Sequence, residues 1–134
     1  MIDDLHRWLF AVLAADAALK SDLGDPARIY DTVPPGRALP CLIIRRIEAT
    51  DWSTADLAGE AFIVTVHVWS REDSRAELYR IADRAQAVID AADPLAGSTR
   101  IVLASPLSKA FRRERDQHAF FGQLRFRFLC EPAA

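Results

Sequence analysis

Apolar side chains recur at three- and four-residue steps over the first twenty positions, where Ile2, Leu5, Leu9, Val12, Leu13 and Leu19 form one stripe and Asp4, Arg7 and Lys20 fall elsewhere. That period predicts an amphipathic helix. Gly24, with Pro26 just beyond, supplies its stop, and Ile29 and Tyr30 leave room for only a short extended piece. From Val33 to Pro40, three prolines and a glycine predict a loop. Cys41 to Ile47 is β-branched and apolar apart from the adjacent Arg45 and Arg46. A strand there must either turn one arginine toward its better-covered face or throw it outward with a bulge.

Thr50 to Gly59 is polar and turn-rich around Trp52, and then Phe62, Val64, Val66 and Val68 alternate with Ile63, Thr65, His67 and Trp69. Period two over that length predicts a strand. Ser74 and Glu77 have capping-box spacing, which starts a second helix. Its buried stripe is Leu78, Ile81, Ala82, Ala85, Val88, Ile89 and Ala92, with Arg80 and Arg84 on the opposite side and Asp93-Pro94 as the stop. Thr99 to Leu107 and Phe120 to Leu129 read as two more strands. The polar stretch Ser108 to Gln117 between them reads as the charged, extended tip of an antiparallel hairpin.

The resulting order, α-β-β-β-α-β-β, predicts an α+β fold: a mainly antiparallel sheet with two amphipathic helices packed on one face. The other face is then less covered. It would carry Trp69, His67, Thr65, Arg125 and Arg127, a mixture of aromatic and basic groups that marks an interface candidate.

Composition narrows the class. The chain has 134 residues, 51% hydrophobic and 27% charged, which fits a single packed domain over 1–134 and excludes a disordered or collagenous one. The net charge of −2, with no acidic or basic tail, does not favour general nucleic-acid binding. No window approaches the roughly 18 uncharged apolar residues of a membrane span. The first twenty residues begin with two aspartates and carry charges inside their apolar stretch, so they read as mature structure and not as a secretory signal. Cys41 and Cys130, at the ends of two predicted strands, lack the spacing of zinc or dithiol sites and are expected to be buried free thiols.

The search for chemistry finds little. No glycine begins a strand-to-helix phosphate loop followed by lysine. His6, His67 and His118 stand apart, without the paired spacing of a zinc hydrolase, and no serine sits in a Gly-x-Ser-x-Gly elbow. The pairs Asp3/Asp4 and Glu72/Asp73 lie at predicted helix starts, where the helix dipole favours acids. No catalytic, cofactor-binding or metal-ligating residue is therefore assigned. What remains is recognition. Trp52 and Trp69 are of the type enriched at protein interfaces, although core packing explains them equally well. Arg112, Arg113 and Arg115 are interrupted by Glu114 and followed by Asp116, so they lack an unbroken positive field for DNA and are assigned to protein docking.

The order of these pieces resembles the tail terminator or tail-completion proteins of long-tailed phages and gene transfer agents. The resemblance rests on the alanine-rich opening helix, Arg28-Ile29-Tyr30, Pro34-Pro35, Pro40 and the apolar strand after it. It continues through Thr50-Asp51-Trp52, Val68-Trp69-Ser70, the second alanine-rich helix and Phe126-Arg127-Phe128. Two features depart from the family pattern: Asp25-Pro26-Ala27 lengthens the turn before Arg28, and the arginine-rich stretch from Phe111 to Asp116 is foreign to it. The resemblance implies a structural protein without an active site. Its implied role is a homohexameric ring that caps the head-proximal end of the tail tube, stops tube growth and meets the head connector, while DNA passes through the lumen without specific binding. The implied location is the bacterial cytoplasm during assembly and then the tail neck of the particle, with no membrane involved. A neck protein nearer the head is the adjacent alternative. A small dimeric α+β enzyme or ligand-binding module is the alternative from another class.

Overall fold

The computed structural model describes residues 1–32, 34–36, 38–53, 58–71 and 75–133. The first apolar stripe forms two helices where the period predicts one: α1, Ile2–Ala15, and α2, Ala17–Leu23. Asp16 makes the break. Its backbone is extended (φ −74°, ψ 126°) and its carboxylate accepts the Leu19 N–H at 3.0 Å, so it caps α2 and does not continue α1. Leu5, Leu9, Leu13 and Leu19 are buried as the stripe requires, whereas Ile2 is exposed. Trp8, outside the predicted stripe, is buried too. Its ring meets Phe128 edge-on at 6.1 Å, and its indole N–H donates to the Asp93 carbonyl at 2.8 Å.

Ile29–Tyr30 forms β1, Cys41–Asp51 forms β2 and Glu60–Arg71 forms β3. The helix α3 follows at Arg75–Ala91, then the two-residue β4 at Leu95–Ala96, β5 at Thr99–Glu114 and β6 at Ala119–Pro132. The architecture is α+β, as the pattern predicts, with one more helix and one more short strand. The six strands form one sheet in the order β1-β2-β3-β6-β5-β4, antiparallel except for the β1–β2 pair.

One face of this sheet is covered. Phe62, Val64, Val66 and Val68 of β3 and Leu124, Phe126 and Phe128 of β6 join Leu5, Leu9 and Leu13 of α1 and Leu78, Ile81 and Ala85 of α3 in one hydrophobic core. The alternation along β3 and β6 thus has its expected cause, since period two sends every second side chain to the helices. Polar contacts fasten the covering layer. On α3, Arg80 and Arg84 reach Asp22 and Asp16 of the α2 region, each at 2.6 Å, so the polar side of α3 clamps the neighbouring helix. The hydrogen bonds from Arg84 hold the Asp16 carboxyl below the usual carboxylate range. Asp4 accepts hydrogen bonds from Ser98 and Thr99 at 3.1 and 2.9 Å, tying α1 to the β4–β5 turn. Gly97 in that turn has φ +58°, and a Cβ there would lie 2.7 Å from Asp4 Oδ1.

Glu77 does not face bulk solvent: it is buried, accepts from the Ser70 hydroxyl at 2.8 Å and pairs with Arg71, joining the start of α3 to the end of β3. Burial pushes its carboxyl up, but the hydrogen bonds from Arg71 and Ser70 outweigh that and leave it below its ordinary value. Ser74, its predicted capping partner, and the Glu72/Asp73 pair lie outside the described residues.

Among the described residues no helix is long and apolar enough to cross a membrane. Cys41 and Cys130 are free and fully buried, as expected. They sit opposite Trp69 and Glu60, at the two ends of β3, so they cannot bridge each other. Burial pushes the Cys130 thiol up to about 11.

Candidate protein-interface site

The open face of the sheet is set by register. His67 of β3 lies opposite Ile43 of β2 and Gln123 of β6, Thr65 opposite Arg46 and Arg125, and Trp69 opposite Cys41 and Phe121. Arg127 faces Ile63 across one ladder and Ser105 across the other. Thr65, His67, Trp69, Arg125 and Arg127 therefore share the face away from the helices, where the alternation places them. Of the two alternatives for the adjacent arginines, the bulge is the one present: register shifts between Ile44 and Arg46, and both Arg45 and Arg46 are exposed.

Two shallow depressions, each of about 510 Å³, lie on this face. The first is lined by Arg45, Arg46, Glu48, Thr65, His67, Gln123 and Arg125. Arg45, Arg125 and Arg127 have no ion pair with any described residue, while Arg46 reaches Glu48 at 3.4 Å. In the second depression, Trp69 and His67 lie beside Ile43, Glu114 and Gln117. Phe121 fills the floor between strands, its ring 4.7 Å from those of both His67 and Trp69, with the Arg112 guanidinium 4.4 Å above it. Burial lowers the His67 pKa, the charges of Arg45 and Arg112 lower it further, and the Gln123 hydrogen bond only partly opposes them. The imidazole is therefore mostly neutral at pH 7, and the positive charge of the face belongs to guanidinium groups.

The hairpin departs from expectation. Ser108 to Gln117 is not a tip: β5 continues to Glu114, and only 115–118 form the turn. The cause is the partner strand, because Lys109 to Glu114 pair in register with Leu124 to Ala119 and so satisfy their backbone in a ladder. Polar side chains suit this mostly exposed outer strand. Arg112 and Arg113 consequently point to opposite faces. Arg112 sits over Phe121 and pairs with Glu114 on the open side, Arg113 lies opposite Phe120 on the helix side, and Arg115 is exposed in the turn. The three arginines are not one cluster.

Trp52 does not join Trp69. It lies just beyond β2, at the end of the sheet where Asp51 pairs with Glu60, while Trp69 pairs with Cys41 at the other end. Its N–H donates to the Gly59 carbonyl at 3.0 Å, its side chain is 38% exposed, and a Cβ on Gly59 would come within 2.9 Å of the indole. The structure thus brings together Trp69, His67, Arg112, Arg125 and Arg127 on one face, and sets Trp52, Arg113 and Arg115 apart. It also adds Phe121, Arg45, Arg46 and Gln123, which sequence reasoning did not single out. The parity of Phe121 with Arg125 and Arg127 was the available signal.

Among the described residues no group of three or more His, Cys, Asp or Glu side chains is placed to hold a metal. Planar guanidinium groups beside a half-covered indole and a buried ring suit recognition of carboxylates and apolar side chains. The architecture is that of an α+β domain, and comparisons with known proteins place it in a family. The sequence profile of the family described as "Tail completion protein gp17" matches residues 7–131. The chain belongs to that family. Among solved structures, a chain from the virion of a native gene transfer agent particle aligns with a TM-score of 0.78 and 25% identity, over 95% of this chain and 94% of that one. No curated protein matches it significantly. The protein is a structural component of a tail or virion particle of the phage and gene-transfer-agent type.

Proposed function

We propose that this chain, acting as one domain over 1–134, is the tail terminator: a homohexameric ring that caps the head-proximal end of the tail tube, stops its growth and seats the head connector. The observation that carries this reading is the likeness over nearly the whole chain to a gene transfer agent virion component, together with the family match. The physics of a stop supports it. Stacked rings grow through head-to-tail contacts that do not close, so growth ends when a ring arrives whose outer surface accepts no further tube ring. Such a subunit needs unlike surfaces, and here a helix-covered side opposes an arginine- and aromatic-bearing sheet face. The work is binding and exclusion, with no catalytic step. Assembly takes place in the bacterial cytoplasm, the ring then sits in the tail neck, and DNA passes through its lumen without specific binding.

Imaging the neck of the assembled particle tests this directly. A six-membered ring between tube and connector is the expected result, whereas twofold pairing or another subunit number overturns it, and a position on the head side of the connector makes the chain a neck protein. Deleting the gene should give tails of uncontrolled length without heads, and tails of normal length would refute the role. The hairpin end, with Arg113 and Arg115, docks on protein. Arg113→Glu should leave the subunit folded and lower the yield of joined particles, while duplex-DNA binding that this change abolishes would identify DNA as the partner.

A further inference from the structure

The open face has a sign. Arg45, Arg46, Arg112, Arg125 and Arg127 stand there with Glu48, Glu114 and, by its parity with Arg125 and Arg127 on β6, Glu131, and three of those arginines have no ion pair with any described residue. Two identical faces of this kind repel when brought together, so a symmetric face-to-face dimer is disfavoured. The chain also carries acids that nothing compensates locally. The last turn of α3 contains Asp90 and no basic residue, although a helix C-terminus favours cations, and Asp93 follows just beyond. Both are exposed. Asp90 has no ion pair with any described residue, and the Asp93 carboxylate accepts the Leu95 N–H at 3.1 Å without an ion pair to any described residue. Of the three arginines on the same helix, Arg80 and Arg84 are already engaged by Asp22 and Asp16, and Arg75, at the other end, lies over the Phe120 ring.

We propose that the arginine cleft formed by Arg45, Arg46 and Arg125 is the socket for the acidic corner of a second copy of this chain, Asp90 and Asp93 at the end of α3. The inference rests on the ring reading above and deepens it by naming the contact between subunits. Charge complementarity supports this occupant, because guanidinium forks bind carboxylates in pairs of hydrogen bonds, and although Asp25, Glu60, Asp116 and Glu131 also lack an ion pair with any described residue, Asp90 and Asp93 stand together at the end of α3, on the helix side. A contact between the sheet face of one copy and the helix side of the next is heterologous. Repeated around an axis, it generates a ring.

A charge swap tests the contact. Arg125→Glu and Asp90→Arg, each expressed in place of the wild-type chain, should each lower the yield of joined particles by about ten-fold or more. Arg125→Glu with Asp90→Arg in the same chain should restore the yield to within about three-fold of wild type. The two residues lie on opposite sides of the sheet, so the rescue has to arise between copies. Arg45→Glu serves as a second face variant, and unchanged thermal melts exclude misfolding. The second readout is a bismaleimide cross-link between Gln123→Cys and Ala91→Cys in purified tails, where the native cysteines are buried. A ladder of covalent oligomers supports the contact. If it closes at a number other than six, the contact stands and the six-membered reading falls. Folded single variants that the swap does not rescue, or six-membered rings without the cross-link, overturn the contact and leave the reading intact. Loss of duplex-DNA affinity in Arg125→Glu with unchanged particle yield also overturns it, and makes the cleft a nucleic-acid site.

Discussion

Arg127 and Phe128 are neighbours on β6, held by the same ladders and reaching opposite sides of one sheet. Phe128 is fully buried against Trp8, while Arg127 is exposed opposite Ile63 and Ser105. The comparison extends along the strand: Leu124 and Phe126 enter the core, and Phe121, Gln123 and Arg125 floor the open face. One backbone thus serves two purposes, because side chains alternate across a strand and only one side is covered by helices. Substitutions on the covered side should act on folding, and those on the open side on association.

The largest effect should come from Phe128→Ala, which leaves a cavity beside Trp8 and should cost about 3–5 kcal/mol of unfolding free energy, read by urea titration. A loss below 1 kcal/mol would mean that the covered face is not a packed core. Next is Glu77→Gln. It replaces a buried carboxylate that accepts from Ser70 and Arg71, and it should cost about 1–3 kcal/mol near neutral pH. The pH dependence has a definite sign. The folded pKa of Glu77 lies below its ordinary value of 4.5, so its contribution is present above pH 4.5 and is lost as pH falls through the lower folded value. Wild type should therefore lose more stability than Glu77→Gln on acidification from pH 5 downward, and parallel acid curves would contradict this.

A smaller cost, about 1–2 kcal/mol, is expected for Gly97→Ala, since the turn holds φ +58° and the new methyl would meet Asp4. Asp4→Asn in the same background separates the steric part from the backbone part in a double-mutant cycle. Arg127→Ala should change stability by no more than about 0.5 kcal/mol while lowering particle yield. Equal destabilisation by Arg127→Ala and Phe128→Ala would erase the distinction between the faces. The smallest expected effect is that of chelator or reductant: the melting temperature should move by less than about 2 °C, because the thiols are free and buried and no metal cluster exists among the described residues.

Particular residues show where reading from sequence succeeds and where it stops. Phe62 to Val68 and Leu124 to Phe128 announced both their strands and their core-facing side, since alternation is a local property that survives any arrangement of neighbours. The two arginines after Ile44 announced a bulge or a buried charge, and the bulge resolved it. Asp16 was harder to read: its cap on the Leu19 N–H is local, but its carboxylate is also held by Arg84, distant in sequence and in direct contact with it. The candidate site divides similarly. Trp69, His67, Arg125 and Arg127 follow from parity, but the cleft needs Arg45 and Arg46 from a strand whose register only pairing decides.

Sequence alone determined the α+β class, the helix-facing stripes, the buried cysteines and the composition of the open face, because each depends on the period of apolar residues within one segment. The tertiary structure decided that Arg112 and Arg113 belong to a ladder and face opposite ways, that Phe121 underlies Trp69, and that Trp52 stands at the far end of the sheet. The length of a strand is set by the partner that takes up its N–H and C=O groups, and no local pattern records which partner that is.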